Sequence, residues 1–223
     1  MTGTALVTGV SSGIGQAVAE RLISDGWQVV GVSRRRPGLP GCRWIEADLA
    51  DPGAAAEVAA KAGRLDAVVY AAGLQFSAPL GKLEHDHGEL MWRLHVDAPT
   101  RLLDSLVNEL PDGARIVLIG SRTAAGVAGK SQYAATKSAL LGLARSWAVE
   151  LAPRRITVNV VAPGPTATPM LADPARATTP PRLPALGRFV EPSEVAAMTA
   201  LLVGAEGGSI TGQQLVICGG ASL

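Results

Sequence analysis

Cysteine is scarce: the 223 residues hold two, Cys42 and Cys218. They lie far apart, with no metal-like partners beside them. Neither a disulfide framework nor a zinc site is expected, and both thiols are read as reduced. His85 and His87 are two residues apart and cannot share a helix face. With no third ligand near, they are read as surface residues and no metal is expected. Aromatic residues make up only 4% of the chain. Alanine, valine, leucine and glycine must fill the core, which suits helices packed closely on a sheet. The formal net charge is +1, so no basic field argues for nucleic acid or an anionic membrane. No apolar run approaches the ~18 residues that span a bilayer. No charged n-region or cleavage site precedes the first strand, and a cytoplasmic location is expected. Repeats, linkers and low-complexity tails are also lacking. One domain over residues 1–223 is the simplest organisation.

What is present is an alternation of short apolar runs and helical stretches. Thr4–Thr8 reads as a strand, Gly9-Val-Ser-Ser-Gly13-Ile-Gly15 as a glycine loop, and Gln16–Asp25 as a helix. Strand, glycine loop and helix are the context that turns a glycine pattern into a phosphate site. Glycines let the backbone approach a pyrophosphate, and the helix start offers N–H groups and a positive dipole. The spacing is Gly-x-x-x-Gly-x-Gly, not the commoner Gly-x-Gly-x-x-Gly, and a plain tight turn is the competing reading. Trp27–Val32 is the second strand, followed by Ser33-Arg34-Arg35-Arg36. An acid about 20 positions past such a loop would hold the ribose hydroxyls of NAD. Here a hydroxyl and arginines stand instead, and an arginine fork suits a 2′-phosphate. NADP(H) is therefore expected over NAD(H), through Arg34 above its two neighbours. A solvated basic loop is the alternative.

Arg43–Ala47 reads as a third strand ending in Asp48-Leu49, and a helix follows from Pro52 to Ala62. Leu65–Ala72 is a fourth strand, closed by Gly73. A long helix is expected from roughly His87 to Leu110, kinked near Pro99 because proline lacks the interior N–H. Arg115–Gly120, Ile156–Ala162 and Gln213–Cys218 are further strands, with Pro163-Gly-Pro165 breaking the second of these. Ser131–Glu150 and Pro192–Val203 read as helices. Prolines 169, 174, 180, 181 and 184 exclude a long helix over Thr166–Gly187. A loop of that length is expected to be a lid, at about 165–190. The sum is an α/β chain whose mostly parallel, seven-stranded sheet is covered by helices on both faces.

The chemistry centres on the strand at 115–120 and the helix after it. Tyr133 and Lys137 are four apart, so they share one helix face. A phenol has a pKa near ~10 and is a poor base at neutral pH. A nearby ammonium favours the phenolate and brings proton transfer into the physiological range. Ser121 stands where the strand ends, at the edge where open α/β sheets bind ligands. Its hydroxyl is placed to hold a substrate oxygen. A surface tyrosine and a surface lysine on an ordinary helix are the competing reading.

Taken together, these residues resemble the short-chain dehydrogenase/reductase family over essentially the whole chain, Thr4 to Leu223. Thr8-Gly9-x-x-x-Gly13-x-Gly15 matches its cofactor loop and Asp48 its adenine-contacting acid. Ser121, Tyr133 and Lys137 match its catalytic serine and Tyr-x-x-x-Lys pair. Asn159-Val-Val-Ala-Pro-Gly164 matches the stretch around the nicotinamide. Thr166 and Thr168 fall where members bond the carboxamide or a phosphate. Ile210-Thr-Gly-Gln213 and Gly219-Gly220 match the C-terminal signature. The resemblance implies a doubly wound Rossmann-type fold and a carbonyl–alcohol oxidoreductase using NADP(H). The residues expected at the cofactor are Gly9, Ser11, Ser12, Gly13, Ile14, Gly15, Ser33, Arg34, Asp48, Leu49, Ala71, Ala72, Gly73, Tyr133, Lys137, Pro163, Gly164, Thr166 and Thr168. Lys137 is implied to hold the nicotinamide ribose as well as to tune Tyr133.

The family's Asn-Asn-Ala-Gly stands here as Tyr70-Ala71-Ala72-Gly73, so both asparagine side chains are missing. The asparagine of the long helix, which anchors a water beside the lysine in relatives, is His95. It either substitutes as a fourth catalytic residue, since imidazole donates and accepts, or is a buried, satisfied histidine. Cys218 replaces an Asp before Gly-Gly. These departures keep open a cofactor-binding sensor or scaffold without turnover, and more weakly a lyase or epimerase. The substrate is expected to be a small carbonyl or alcohol. Leu171 and Leu183 give the lid apolar positions, without a charged anchor. A homotetramer or homodimer is expected, because members pair through long helices. The helix after Lys137 also carries Leu140, Leu141, Leu143, Ala144, Trp147, Ala148 and Leu151, more than one core stripe requires.

Overall fold

The computed structural model describes residues 3–172 and 180–223. The strands are β1 (Thr4–Thr8), β2 (Gln28–Ser33), β3 (Cys42–Glu46), β4 (Ala67–Tyr70), β5 (Arg115–Ile119), β6 (Thr157–Pro163) and β7 (Gln214–Ile217). The helices are α1 (Gly13–Ser24), α2 (Ala54–Ala62), α3 (His85–Trp92), α4 (Ala98–Leu106), α5 (Ser131–Leu151) and α6 (Pro192–Val203). The strands form one sheet in the order β3-β2-β1-β4-β5-β6-β7. Every neighbouring pair is parallel, where the sequence had led us to expect only mostly parallel pairing.

Side chains alternate across the sheet, and both faces are covered. Leu6, Val30, Val68, Ile116, Leu118 and Val158 point to one side, where α2, α4 and α5 supply Val58, Leu102 and Leu140. Ala5, Val7, Val29, Val69, Val117 and Val161 point to the other, against Val18 and Leu22 of α1 and Val195 and Leu202 of α6. This is why the strands read as continuous apolar runs. The order reverses between β1 and β4, which opens a crevice at the carboxyl edge.

Several expected boundaries move. Helix α1 starts at Gly13, within the glycine loop, so the loop itself forms the helix start. Pro163 ends β6 and does not break it: the N–H of Gly164 donates to the Ile217 carbonyl at 2.8 Å, so the sheet bond survives the proline. The expected lid falls partly outside the described residues, which leave out 173–179.

The expected helix from 87 to 110 is α3, a π turn at Arg93–Asp97 and α4. The distortion lies just ahead of Pro99 and has a cause in it. The Ala98 N–H reaches back to Arg93 O, one residue further than in an α-helix. The Leu94 carbonyl thereby loses its usual donor, and the next candidate, Pro99, has no N–H. The buried Tyr70 hydroxyl supplies the bond, donating to Leu94 O at 2.8 Å. Burial, and secondarily the charge of Asp48, pushes the Tyr70 phenol pKa up and keeps it a donor. Helix α4 stops at Leu106, and the Arg154 guanidinium donates to the carbonyls of Val107 and Leu110 beyond it.

The apolar surplus expected on α5 is mostly absorbed. Leu140, Ala144 and Ala148 are buried, and Leu143, Trp147 and Leu151 pack partly buried on the same core. Val149, 77% exposed, is the large apolar side chain α5 leaves outside, while α3 exposes Trp92 at 45%.

Candidate functional site

A cleft of about 1150 Å³ runs along the carboxyl edge of the sheet. Its first wall is the turn from β1 into α1. Gly9 and Gly13 have φ of 75° and 61°, in the left-handed region that favours glycine. A side chain on Gly15 would drive into the Gly9 carbonyl, so only glycine lets α1 pass this close to β1. The first turn of α1 therefore faces the cleft with its N–H groups, a cradle suited to a phosphate. Thr8, at the end of β1, accepts from both Ala71 N and Ala72 N at 2.9 Å. That hydroxyl ties β1 to the loop after β4, where the resembling family's asparagines are missing. Thr168 packs over the glycine loop, its methyl 3.3 Å from where a Gly13 Cβ would stand. Thr166 donates to the Gly164 carbonyl at 3.0 Å, shaping the chain after β6. Asn159, at the head of the stretch expected around the nicotinamide, is fully buried. It clamps the 210–213 segment through Ile210 O at 2.6 Å and Gln213 N at 3.1 Å.

At one end, after β2 and β3, Arg34 Nη1 lies 3.8 Å from Asp48 Oδ2, and both side chains are exposed. The Ser33 hydroxyl donates to Arg35 O at 2.7 Å. Arg34 and Arg35 both line the cleft, whereas Arg36 sits 6.0 Å over the Trp44 ring.

At the other end, Ser121 caps a short turn over Arg122–Ala125, and its Oγ accepts from Thr123 N at 3.1 Å. Ser138 of α5 donates to Ala124 O at 2.7 Å and docks that turn on the helix. Tyr133 and Lys137 lie one turn apart on α5 and are buried. The Lys137 ammonium donates to the Ile119 carbonyl at 2.9 Å and lies 6.0 Å from the Tyr133 ring centre. Burial pulls the Lys137 pKa down to about 8.

Every residue expected at the cofactor lines this one cleft, as does Ser121. His95 is not among the lining residues. Its ring is 1% exposed, with Nε2 accepting from Leu74 N at 3.1 Å and Nδ1 lying 2.9 Å from Thr136 Oγ1. An N–H donor at Nε2 requires that nitrogen to be bare, so Nδ1 carries the proton and donates to Thr136. Thr136 in turn donates to the Tyr133 carbonyl at 2.9 Å. Burial first, and the neighbouring Lys137 charge second, hold the His95 pKa well below its usual value. His95 is a buried, satisfied histidine that joins the loop after β4 to α5. Its signal in the sequence was its place on the long helix, and its partners were not legible there.

Sequence reasoning also missed Arg122 and Lys130, which line the cleft beside Ser121 and Tyr133. Lys130 is only 9% exposed. Its spacing of three from Tyr133 was the available signal.

A family model described as Enoyl-(Acyl carrier protein) reductase matches residues 9–222. The chain is 36% identical to the Cyclic-di-GMP-binding biofilm dispersal mediator protein of Escherichia coli, over 97% of this chain and 95% of that one. It is 34% identical to the 3-oxoacyl-[acyl-carrier-protein] reductase FabG of Salmonella typhimurium, over 97% and 96%. A solved short chain dehydrogenase from Burkholderia cenocepacia in complex with NADP superposes with a TM-score of 0.89 at 37% identity, over 98% and 97%.

The satisfied, neutral state of His95 has a consequence for pH stability. Unfolded, an imidazole takes up a proton below about 6.5; folded, His95 resists it. Below that value the unfolded chain binds more protons, so stability falls with pH, by up to about 1.4 kcal/mol per pH unit for one group. Urea denaturation between pH 7 and 5 is expected to show a steeper loss in the wild type than in His95→Asn. Parallel losses in the two proteins would contradict the assignment.

Proposed function

Because the chain belongs to the short-chain dehydrogenase/reductase family, a family of oxidoreductases, we propose that it interconverts a carbonyl compound and an alcohol with NADP(H). The observation that carries this reading is the convergence of Ser121, Tyr133 and Lys137 with the glycine loop and Arg34 in one cleft. The site fits the cofactor: Gly15 lets the first turn of α1 pass against β1 at Gly9, leaving its N–H groups toward the cleft, and the arginines after β2 offer a fork for a 2′-phosphate. The reductase FabG and the structure in complex with NADP among the similar proteins support the reading. When bound, the reduced nicotinamide supplies a hydride to the carbonyl carbon. Tyr133 gives the substrate oxygen its proton, and Ser121 holds that oxygen. The Lys137 ammonium, fixed by Ile119, favours the phenolate that Tyr133 leaves behind. His95 acts through Thr136 as a positioning residue behind Tyr133. We further read the protein as a cytoplasmic homo-oligomer, with the exposed Val149 and Trp92 in its interface.

A second reading has a specific observation behind it. The relative named as a cyclic-di-GMP-binding mediator is 36% identical along nearly all of both chains, and its printed name is that of a binding protein. A sensor of this fold need not turn over. The presence of Tyr133 and Lys137 favours the enzyme.

Two measurements test the proposal. Tyr133→Phe is expected to abolish NADPH-dependent reduction across a panel of ketones and aldehydes while NADPH still binds. General acid catalysis is typically worth ~10²-fold or more, so a variant keeping over about a tenth of the wild-type rate would remove Tyr133 from its role. NADPH is expected to be preferred over NADH, with Arg34→Ala raising the KM for NADPH and leaving that for NADH nearly unchanged. Equal use of both cofactors by the wild type would contradict the role of Arg34.

A further inference from the structure

The run Ser33-Arg34-Arg35-Arg36 does not enter the cleft as a unit. Arg34 and Arg35 line it, and Arg36 does not. The Arg36 guanidinium stands instead 6.0 Å from the centre of the Trp44 ring, within reach of a cation–π contact. Trp44 belongs to β3, the edge strand beside β2, and is half-buried. It does not line the cleft either.

Trp44 meets the end of β2 through its one polar side-chain atom. Nε1 lies 3.2 Å from the Ser33 carbonyl oxygen and 3.2 Å from the Ser33 hydroxyl oxygen. An indole nitrogen only donates, so Ser33 accepts at both atoms. The same hydroxyl lies 2.7 Å from Arg35 O. A carbonyl only accepts, so the single hydroxyl proton is spent there. This bond from a side chain to a carbonyl two residues on closes a local turn around Arg34. Ser33 is 7% exposed, so water competes little for these bonds.

A phosphate offers acceptor oxygens and needs donors. Ser33 lines the cleft, but it has no proton to give a phosphate unless the turn opens. The donors this run leaves in the cleft are the guanidinium groups of Arg34 and Arg35. The Arg34 side chain is 75% exposed and lies 3.8 Å from Asp48. Packing fixes such a side chain weakly, so its reach depends on the direction the backbone gives it.

We propose that Trp44 is a positioning residue for the 2′-phosphate of NADP(H), acting through Ser33, and that Ser33 shapes this site without binding the phosphate. The indole N–H occupies the Ser33 oxygens from one side and leaves the hydroxyl proton to Arg35. The indole ring keeps Arg36 outside. Arg34 and Arg35 are then held where their forks can take the phosphate. The proposal rests on the NADP(H) reading and adds to it the contacts that set the preference.

The test is equilibrium binding, measured by calorimetry with NADP⁺ and with NAD⁺. The wild type is expected to bind NADP⁺ about tenfold more tightly or better. Trp44→Phe keeps a ring for Arg36 and loses the N–H. It is expected to weaken NADP⁺ about fivefold, the effect of one hydrogen bond. NAD⁺, which lacks the phosphate, is expected to change by less than about twofold. Ser33→Ala is expected to do the same. Because both changes open one turn, the double variant is expected to lose no more than the larger single loss. Trp44→Tyr takes the place of Trp44→Phe if that protein does not fold. A wild-type preference for NADP⁺ in the Trp44 variant would overturn the role of Trp44 and leave the NADP(H) reading standing. Losses that multiply in full in the double variant would do likewise, since Trp44 would then not act through Ser33. Equal affinity of the wild type for the two cofactors would overturn both the proposal and the reading beneath it.

Discussion

The bond from the Lys137 ammonium to the Ile119 carbonyl fixes the site. It joins the second turn of α5 to the last residue of β5. Burying an ammonium is costly unless it is bonded. Ile119 is available for this because β5 runs one residue past its last pairing with β4, at Tyr70 and Leu118. Once Lys137 is anchored there, the spacing of the helix places Tyr133 one turn earlier, and the chain leaving β5 places Ser121 two residues later. Ser121, Tyr133 and Lys137 thus derive their positions from a single strand end. The wholly parallel sheet matters for the same reason, since it brings every strand end to this edge.

Around that anchor, three unusual residues compensate one another. Pro99 cannot donate to the preceding turn, and the helix widens into a π turn at Arg93–Asp97. Tyr70 fills the resulting need at Leu94 O, and His95, carried on the π turn, reaches Leu74 and Thr136. Where the family pattern has two asparagines after β4 and one on the long helix, this chain has a phenol, a methyl group and an imidazole. Thr8 supplies the two bonds that hold the backbone at Ala71 and Ala72. The loop beside the cleft is held by Thr8 and His95, with Gly73 close against His95 and Lys137.

Much of this was legible from the residues. Apolar runs with β-branched residues marked the inner strands, because β1, β2, β4, β5 and β6 are buried on both faces. The glycine loop, Arg34 and the Tyr133–Lys137 spacing marked the cleft, because each depends on local geometry that sequence spacing encodes. What was not legible depends on partners distant in sequence. The π turn needs Tyr70, 24 residues before Leu94. The role of His95 depends on Thr136, 41 residues on. That Leu143, Trp147 and Leu151 of α5 pack partly buried against the core depends on residues far away in the chain. Arg122 and Lys130 were overlooked for a related reason: cations in a loop read as solvated until the fold shows what they face.

Lys137 is a buried ammonium held by one backbone carbonyl, 6.0 Å from the centre of the Tyr133 ring. The ¹³Cε resonance of Lys137, assigned by comparison with Lys137→Met and followed through a pH titration, tests that burial directly. The account predicts a midpoint near 8, where burial has drawn it. A midpoint at the ordinary lysine value, about 10.4, would mean that the ammonium is solvated, and the arrangement described for Ser121, Tyr133 and Lys137 would be contradicted at its anchor.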